Sequence, residues 1–456
     1  MSDLERHFQA ERQNHLAQLM DFLRIPSVSP LSVHKPDMAR AAEWVRQQLS
    51  DMGLDVRVIA TAGHPTVYGE WLKAPGAPTV LIYGHYDVQP TDPLNKWDSP
   101  PFEPTVRDGR IYARGASDDK GPVFAALKAT EAYLRTEGRL PLNIKFLIEG
   151  EEEVGSPNLR PFVEAHREEL ACDLVVSADG AMWRATEPSI TLSGRGLAAL
   201  EVDLQTARID LHSGRHGGAV PNALHALARL VDTLHTPDGR VAVPGFYDRV
   251  RELPPAERDA LGRLPFDEEA YREDLELTSL YGEPGYSTLE RQWVRPALDC
   301  VGMWGGFTDE GSKTVIPSEA HVKITSRLVA EQQPEEILDL VVAHLEANTP
   351  PGARLTIRKL GGSSLPYDMA PDLPFLQPAA DALRETLGQE PVWVRMGGTL
   401  PAAEVFQKVL GSYTLFFSFS VADEQFHAPN EFFRLDRLDS GVRAWANLYR
   451  RLPDVL

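Results

Sequence analysis

The chain has 456 residues, more than one hydrophobic core usually serves, so two domains or one domain carrying a large insertion are expected. Asp and Glu outnumber Lys and Arg by 66 to 46, a formal net charge of −20, which argues against a polyanionic partner such as nucleic acid. Two cysteines, Cys172 and Cys300, an amino terminus without the apolar core of a signal peptide, and no apolar run near the ~20 residues of a membrane span read as a soluble, cytoplasmic protein.

Leu4, Phe8, Leu16, Leu19, Phe22 and Leu23 recur at helical spacing, so 3–24 reads as a surface helix, stopped by Pro26. A second helix is expected over 38–52, closed by Gly53, then strands over 55–60 and 67–71. Thr79–Gly84 is almost wholly apolar, as in a strand covered on both faces, and runs straight into His85-Tyr86-Asp87-Val88. A helix over 122–135, a strand over 142–148, a helix over 157–170 and a strand over 173–178 complete an alternation that implies an α/β architecture with a largely parallel sheet.

The texture changes after Ser193-Gly194-Arg195-Gly196. A strand over 197–204, a helix over 222–234, a charged stretch over 237–295, a strand over 321–328, a helix over 335–347 and a strand over 354–359 suit an inserted α+β sandwich. Gly361-Gly362-Ser363-Ser364 reads as a hinge back, followed by a helix over 373–387, a strand over 413–419 and a last helix over 438–452. The expected domains are 1–193 with 364–456, and 194–363.

Chemistry concentrates at strand ends. The run Glu149-Gly150-Glu151-Glu152-Glu153-Val154-Gly155-Ser156 delivers four carboxylates to one small volume at the end of an apolar strand, where open α/β sheets place their ligand sites. An acidic run in isolation is more often a solvated loop. Here it is joined by His85 with Asp87, Asp118 with Asp119, Asp179, and His427. Taken singly, each of these is more often a satisfied hydrogen-bonding residue. Together they form a mixed imidazole and carboxylate set, the ligand chemistry of zinc, manganese or cobalt. Two histidines and three carboxylates are too many for one tetrahedral ion and fit a dinuclear site with one bridging carboxylate.

These motifs resemble the metallopeptidase family that contains carnosinase-type and cytosolic nonspecific dipeptidases, glutamate carboxypeptidase, succinyl-diaminopimelate desuccinylase and aminoacylase. The resemblance rests on Gly84-His85-Tyr86-Asp87-Val88, Gly115-Ala116-Ser117-Asp118-Asp119-Lys120-Gly121, Glu152-Glu153-Val154-Gly155-Ser156, Ser177-Ala178-Asp179-Gly180 and Phe426-His427-Ala428-Pro429-Asn430-Glu431, in that order. It implies a phosphorylase/hydrolase-like catalytic domain with a mixed, largely parallel sheet, plus an inserted α+β lid. It also implies two divalent ions per subunit, zinc first and manganese or cobalt as alternatives. His85 and Asp179 would hold one ion, Glu153 and His427 the other, with Asp118 bridging, Asp87 behind His85 and Glu152 as general base. The Asp118–Asp119 peptide bond is expected to be cis.

In the insertion, Asp210-Leu211-His212-Ser213-Gly214 resembles the dipeptidase lid motif, where His212 would reach the partner subunit's active site in a homodimer and stabilise an oxyanion. Without that likeness, a histidine beside Ser and Gly more often caps a loop. Arg327 resembles the lid arginine that binds the substrate's terminal carboxylate, a role suited to its planar fork, and Gly397-Gly398-Thr399 the glycine-rich substrate loop. Where that branch often carries a histidine and a Pro-Trp pair, this chain reads Gly361 to Tyr367, which bears on how substrate side chains are read. The reading is a dinuclear metal dipeptidase acting on short peptides. The alternatives are an amidohydrolase or carboxypeptidase acting on N-acyl amino acids, and a non-catalytic peptide-binding relative.

Overall fold

The computed structural model describes residues 3–456 and divides them into two compact units. The first comprises 3–192, 369–394 and 405–456; the second comprises 193–368 and 395–404. Gly361–Ser364 lies inside the second unit, where Ser364 and Leu197 exchange backbone hydrogen bonds.

The first unit is built on a six-stranded sheet. From one edge its strands are β1 (Asp55–Ile59), β2 (Thr66–Trp71), Asn143–Glu149, β3 (Thr79–His85), Leu174–Ser177 and Thr414–Phe416. The last four run parallel, and the first two close the edge antiparallel. Val80, Leu81, Ile82 and Tyr83 are buried on both faces of β3, which is why that stretch shows no polar alternation. Because the parallel strands share a direction, His85, Glu149 and Ser177 all end on one side of the sheet, just before the loops that carry the acidic residues.

Helices cover the sheet. α1 (Asp3–Leu23) buries Phe8, Leu19, Phe22 and Leu23, with His15 completing the stripe. α2 (Lys35–Asp51) packs on β1 and β2, and α3 (Lys120–Thr136) packs against α1 and the carboxy-terminal helix Leu435–Arg451. The helix expected over 157–170 is two, Leu159–Ala165 and Arg167–Leu170, interrupted at His166. The strand expected over 413–419 stops at Phe416, because its neighbour ends at Ser177 and leaves no ladder to continue.

In the second unit an antiparallel sheet runs Ala297–Gly305, Glu319–Leu328, Gly196–Gln205, Arg354–Lys359. Strict alternation of burial along Gly196–Gln205 gives it one buried face. On that face Leu200, Val202, Val322 and Ile324 form a core with Leu227 and Leu230 of one helix (Ala223–Asp232) and Val341 and Leu345 of another (Pro334–Ala347). The charged stretch before Arg295 forms three short helices, Pro255–Gly262, Glu268–Asp274 and Thr288–Trp293. Asp267 caps the second and a Ser287/Glu290 capping box the third. The edge strand Ala297–Gly305, with a bulge between Cys300 and Gly302, was not anticipated. Its side chains are mostly exposed, so it lacks the apolar alternation that marks a strand. No described helix is long and apolar enough to cross a membrane.

Candidate metal centre

His85, the last residue of β3, is fully buried, and its Nε2 lies 3.1 Å from Oδ1 of Asp118. Asp118 and Asp119 immediately precede α3, and the peptide bond between them is cis. The other oxygen of Asp118, Oδ2, lies 3.0 Å from Nε2 of His427, which is 3.1 Å from Glu153 Oε2. His427 sits in a loop where Gln425, His427 and Asn430 all take positive φ, a backbone conformation that non-glycine residues adopt only when their surroundings hold it. Asp179 follows the strand Leu174–Ser177, and its backbone carbonyl accepts the Ser177 hydroxyl. Ligand atoms of His85, Asp118 and Asp179 lie within 4.8 Å of one another, as do those of Asp118, Glu153 and His427. The two groups share Asp118, and their nitrogen and oxygen donors suit borderline divalent ions.

The electrostatics carry the mark of a site built for cations. Burial lowers the His85 imidazole, yet hydrogen bonds to Asp118 and Asp87 outweigh it and hold the pKa well above the usual value. His427 is raised to about 10 by its hydrogen bonds to Asp118 and Glu153. Burial, with the opposing His85 and neighbouring Asp118 charges, leaves Asp179 at about 6. Burial also pushes Glu152 well above the carboxylate range, reinforced by the charge of Asp179.

Asp87 does more than was expected of it. Nδ1 of His85 is 3.0 Å from the Asp87 backbone oxygen and 3.4 Å from its carboxylate. That carboxylate accepts the backbone N–H groups of Glu152 (3.2 Å) and Glu153 (3.1 Å). One residue therefore orients a histidine and the glutamate pair together. Gln89, which sequence reasoning missed, donates to Glu153 Oε2 at 2.9 Å. Glu149 is occupied by Tyr83 and Ser156, and Glu151 by Asn158, which leaves both outside the cluster.

The remaining site residues lie in the second unit. His212 is exposed, its short strand pairs with Val315–Ile316, and its Nδ1 accepts the Gly214 N–H at 3.0 Å. The loop-capping contact is therefore present, and in the neutral ring it places the hydrogen on Nε2, which makes that atom a donor. Arg327 is half-buried near the end of Glu319–Leu328 and has no ion pair among the described residues. Arg195, a residue given no role from sequence, donates from Nε to the Gly397 carbonyl (2.9 Å), and its backbone N–H donates to Gly398 O (2.8 Å). A Cβ on Gly397 would lie 3.1 Å from Gln292 O and 3.2 Å from an Arg195 nitrogen, so glycine permits this close approach. Burial and then the charge of Arg327 bring Arg195 down to about 10. Arg195, Arg327 and the backbone of Gly397 and Gly398 thus belong to one cationic corner, with Thr399 half-buried next in the chain.

Such a cluster can hold divalent cations and move a proton beside them, which is the chemistry of a metal-dependent hydrolase. Residues 81–451 match the model of Peptidase family M20/M25/M40, and the chain belongs to that family. It is 29% identical over 462 residues to the Cys-Gly metallodipeptidase dug1 of Schizosaccharomyces pombe, spanning 98% of this chain and 97% of the relative. It is 32% identical over 372 residues to the Beta-Ala-His dipeptidase of Homo sapiens, spanning 80% and 73%. The M20 family metallo-carboxypeptidase Sso-CP2 of Sulfolobus solfataricus superposes with a TM-score of 0.83 at 30% identity, covering 96% of this chain and 99% of that one.

Proposed function

We propose that the protein is a dipeptidase that uses two divalent ions, with Glu152 as general base. The observation that carries this reading is the sharing of Asp118 between two ligand groups, with half-buried Glu152 beside Glu153. His85 and Asp179 would hold one ion, Glu153 and His427 the other. Bound ions supply Lewis acidity and bring the pKa of water from 15.7 to about 7. Glu152 accepts the proton of the attacking water and passes it to the leaving amine, a task worth ~10²–10⁴-fold in rate. Burial, reinforced by the charge of Asp179, raises its pKa and so favours its taking up a proton. Asp87 keeps Glu152 and Glu153 in register with His85.

The second unit supplies the lid in this reading. Arg327, with Gly398 and Thr399, binds the terminal carboxylate of the substrate, and the donor Nε2 of His212 stabilises the oxyanion in a partner's site. A homodimer is supported by the edge strand Ala297–Gly305, which exposes Val301, Met303 and Trp304 beside an unpaired backbone edge, a template for pairing with a second copy. A cytoplasmic location suits the free thiols of Cys172 and Cys300. Zinc is the first choice of metal, with manganese or cobalt as alternatives.

A carboxypeptidase or N-acyl amino acid hydrolase is the second reading, supported by the likeness to Sso-CP2. Metal analysis coupled to a panel of dipeptides, longer peptides and N-acyl amino acids, on stripped and reloaded protein, separates the two. Turnover of free dipeptides that returns only with metal is expected. Efficient cleavage of N-blocked substrates alone would reverse the order.

A further inference from the structure

The motif that contributes His427 to the cluster ends in Glu431, a residue outside both ligand groups. Glu431 is fully buried and its carboxylate collects four donors from a single loop. Oε1 accepts the backbone N–H groups of Ser117 (2.9 Å) and Asp118 (3.1 Å). Oε2 accepts the Gly115 N–H (2.9 Å) and the Arg114 guanidinium (2.7 Å). Burial raises the pKa of this carboxyl, while the Arg114 charge and the backbone N–H groups favour the anion. All four neighbours are donors, so a protonated carboxyl would find no acceptor among them.

A second strap runs alongside. Glu424 accepts the Ser117 hydroxyl and the Val421 N–H, and Ser420 donates its hydroxyl to the Ser117 carbonyl. The strand Phe432–Arg434 pairs with Arg110–Tyr112, the strand that leads into the loop. The segment 420–434 therefore grips the backbone that leads from Arg110 up to the N–H of the shared aspartate, and His427 lies between Glu424 and Glu431 in the same segment.

We propose that Glu431 is a positioning residue that ties the Gly115–Asp118 loop to the His427 loop, so that the two ion sites are formed and lost as a pair. This rests on the two-ion reading above. Asp118 faces both groups, so a loop that drifts by a fraction of an ångström misplaces a ligand of each. His427 would lose its register with Asp118 at the same time.

Glutamine makes a sharp test. It keeps the size of glutamate, but its amide carries one acceptor and one donor, and in either orientation the NH₂ meets donors of the loop. Ions are titrated into stripped protein by calorimetry, using zinc and cobalt separately, for wild type, Glu431→Gln and Ser117→Ala. The second variant loosens the same loop through Glu424 while leaving the Glu431 carboxylate in place, and tests the idea if the first fails to fold. Wild type is expected to take two ions. Each variant is expected to lose about 10–100-fold in affinity at both sites together, the usual effect of removing an outer partner of a ligand. The melting temperature is recorded on the metal-free proteins, since a merely structural anchor lowers it without moving ion affinity. Variants that bind two ions as tightly as wild type, or that weaken one site alone, would overturn the proposal. Wild type that binds a single ion would overturn both it and the two-ion reading.

Discussion

The guanidinium of Arg195 is fastened to the backbone of Gly397, with Nε donating to its carbonyl at 2.9 Å. A second nitrogen, Nη1, reaches the Arg295 carbonyl at 3.4 Å, so the side chain braces the glycine loop against the end of the charged stretch. Its positive charge is left facing Arg327, which lacks a carboxylate partner among the described residues. Asp299 offsets part of this repulsion at Arg195, while Arg327 is left without an ion pair among the described residues, and in the proposed reading a substrate carboxylate is the anion it takes up.

Replacing Arg327→Ala is therefore expected to raise KM for dipeptides by about 10–100-fold, the effect of losing a charge-assisted hydrogen bond of about 1.5–3 kcal/mol. The same variant should treat a dipeptide and its carboxy-terminal amide alike, whereas wild type prefers the free acid. Arg195→Lys keeps the charge but not the planar fork, so a smaller rise in KM with kcat unchanged is expected. Steady-state kinetics on the acid and amide pair decides this, and an unchanged preference in Arg327→Ala would reassign the carboxylate site.

In the proposed mechanism Glu152 and Glu153 have separate tasks, and the two oxygens of Asp87 hold their backbone N–H groups side by side. Glu153 lies 3.1 Å from His427, and among the described residues no histidine forms an ion pair with Glu152. Glu152→Gln should retain wild-type metal content and lose at least ~10²–10⁴-fold in kcat, since it removes the base and spares the ligands. Glu153→Gln should lose metal as well. Metal analysis beside turnover numbers distinguishes the two, and an active Glu152→Gln would mean that the other glutamate moves the proton.

Much of this site was legible because its residues fall at strand ends within short contiguous motifs, where an apolar run and the side chain after it are read together. His85 after β3 and Asp179 after Leu174–Ser177 are of that kind. The support around them was not. Glu431 meets Ser117 across 314 residues of chain, and Arg195 meets Gly397 across 202, separations that leave no local pattern. The role of Asp87 was seen in half, because its proximity to His85 in sequence is visible and its bonds to Glu152 and Glu153 are made only by the sheet. The edge strand Ala297–Gly305 was hidden for a different reason, since a strand with one free edge and exposed side chains lacks the apolar alternation that announces a strand.

His212 offers Nε2 as a free donor because Nδ1 is already occupied by the Gly214 N–H. In the proposed dimer, His212→Ala should lower kcat by about 10²–10³-fold with metal content unchanged, as for the loss of one oxyanion donor. Mixing it with Glu152→Gln then creates some dimers in which one site has both an intact base and an intact partner histidine. Recovery of activity on mixing is expected, read as turnover against the ratio of the two variants. If the mixture stays as inactive as its parts, the histidine serves its own chain.

His15 is buried on α1 against Phe124, with Lys128, Glu131, His7 and Glu11 as its charged neighbours. Burial, joined by the positive charge of Lys128, lowers its pKa from 6.5 to about 4. The folded protein therefore binds this proton less readily than the unfolded chain does. Stability from the neutral ring is fully present above pH 6.5 and is lost as the pH falls toward 4, with a limit of about 3 kcal/mol for a shift of this size. His15→Leu removes the titration while keeping an apolar side chain in the stripe. Chemical denaturation at a series of pH values should show the variant and wild type converging near neutrality. Below pH 6.5 wild type should fall away from the variant by up to about 3 kcal/mol, and parallel curves would show that the ring is protonated without cost to the fold.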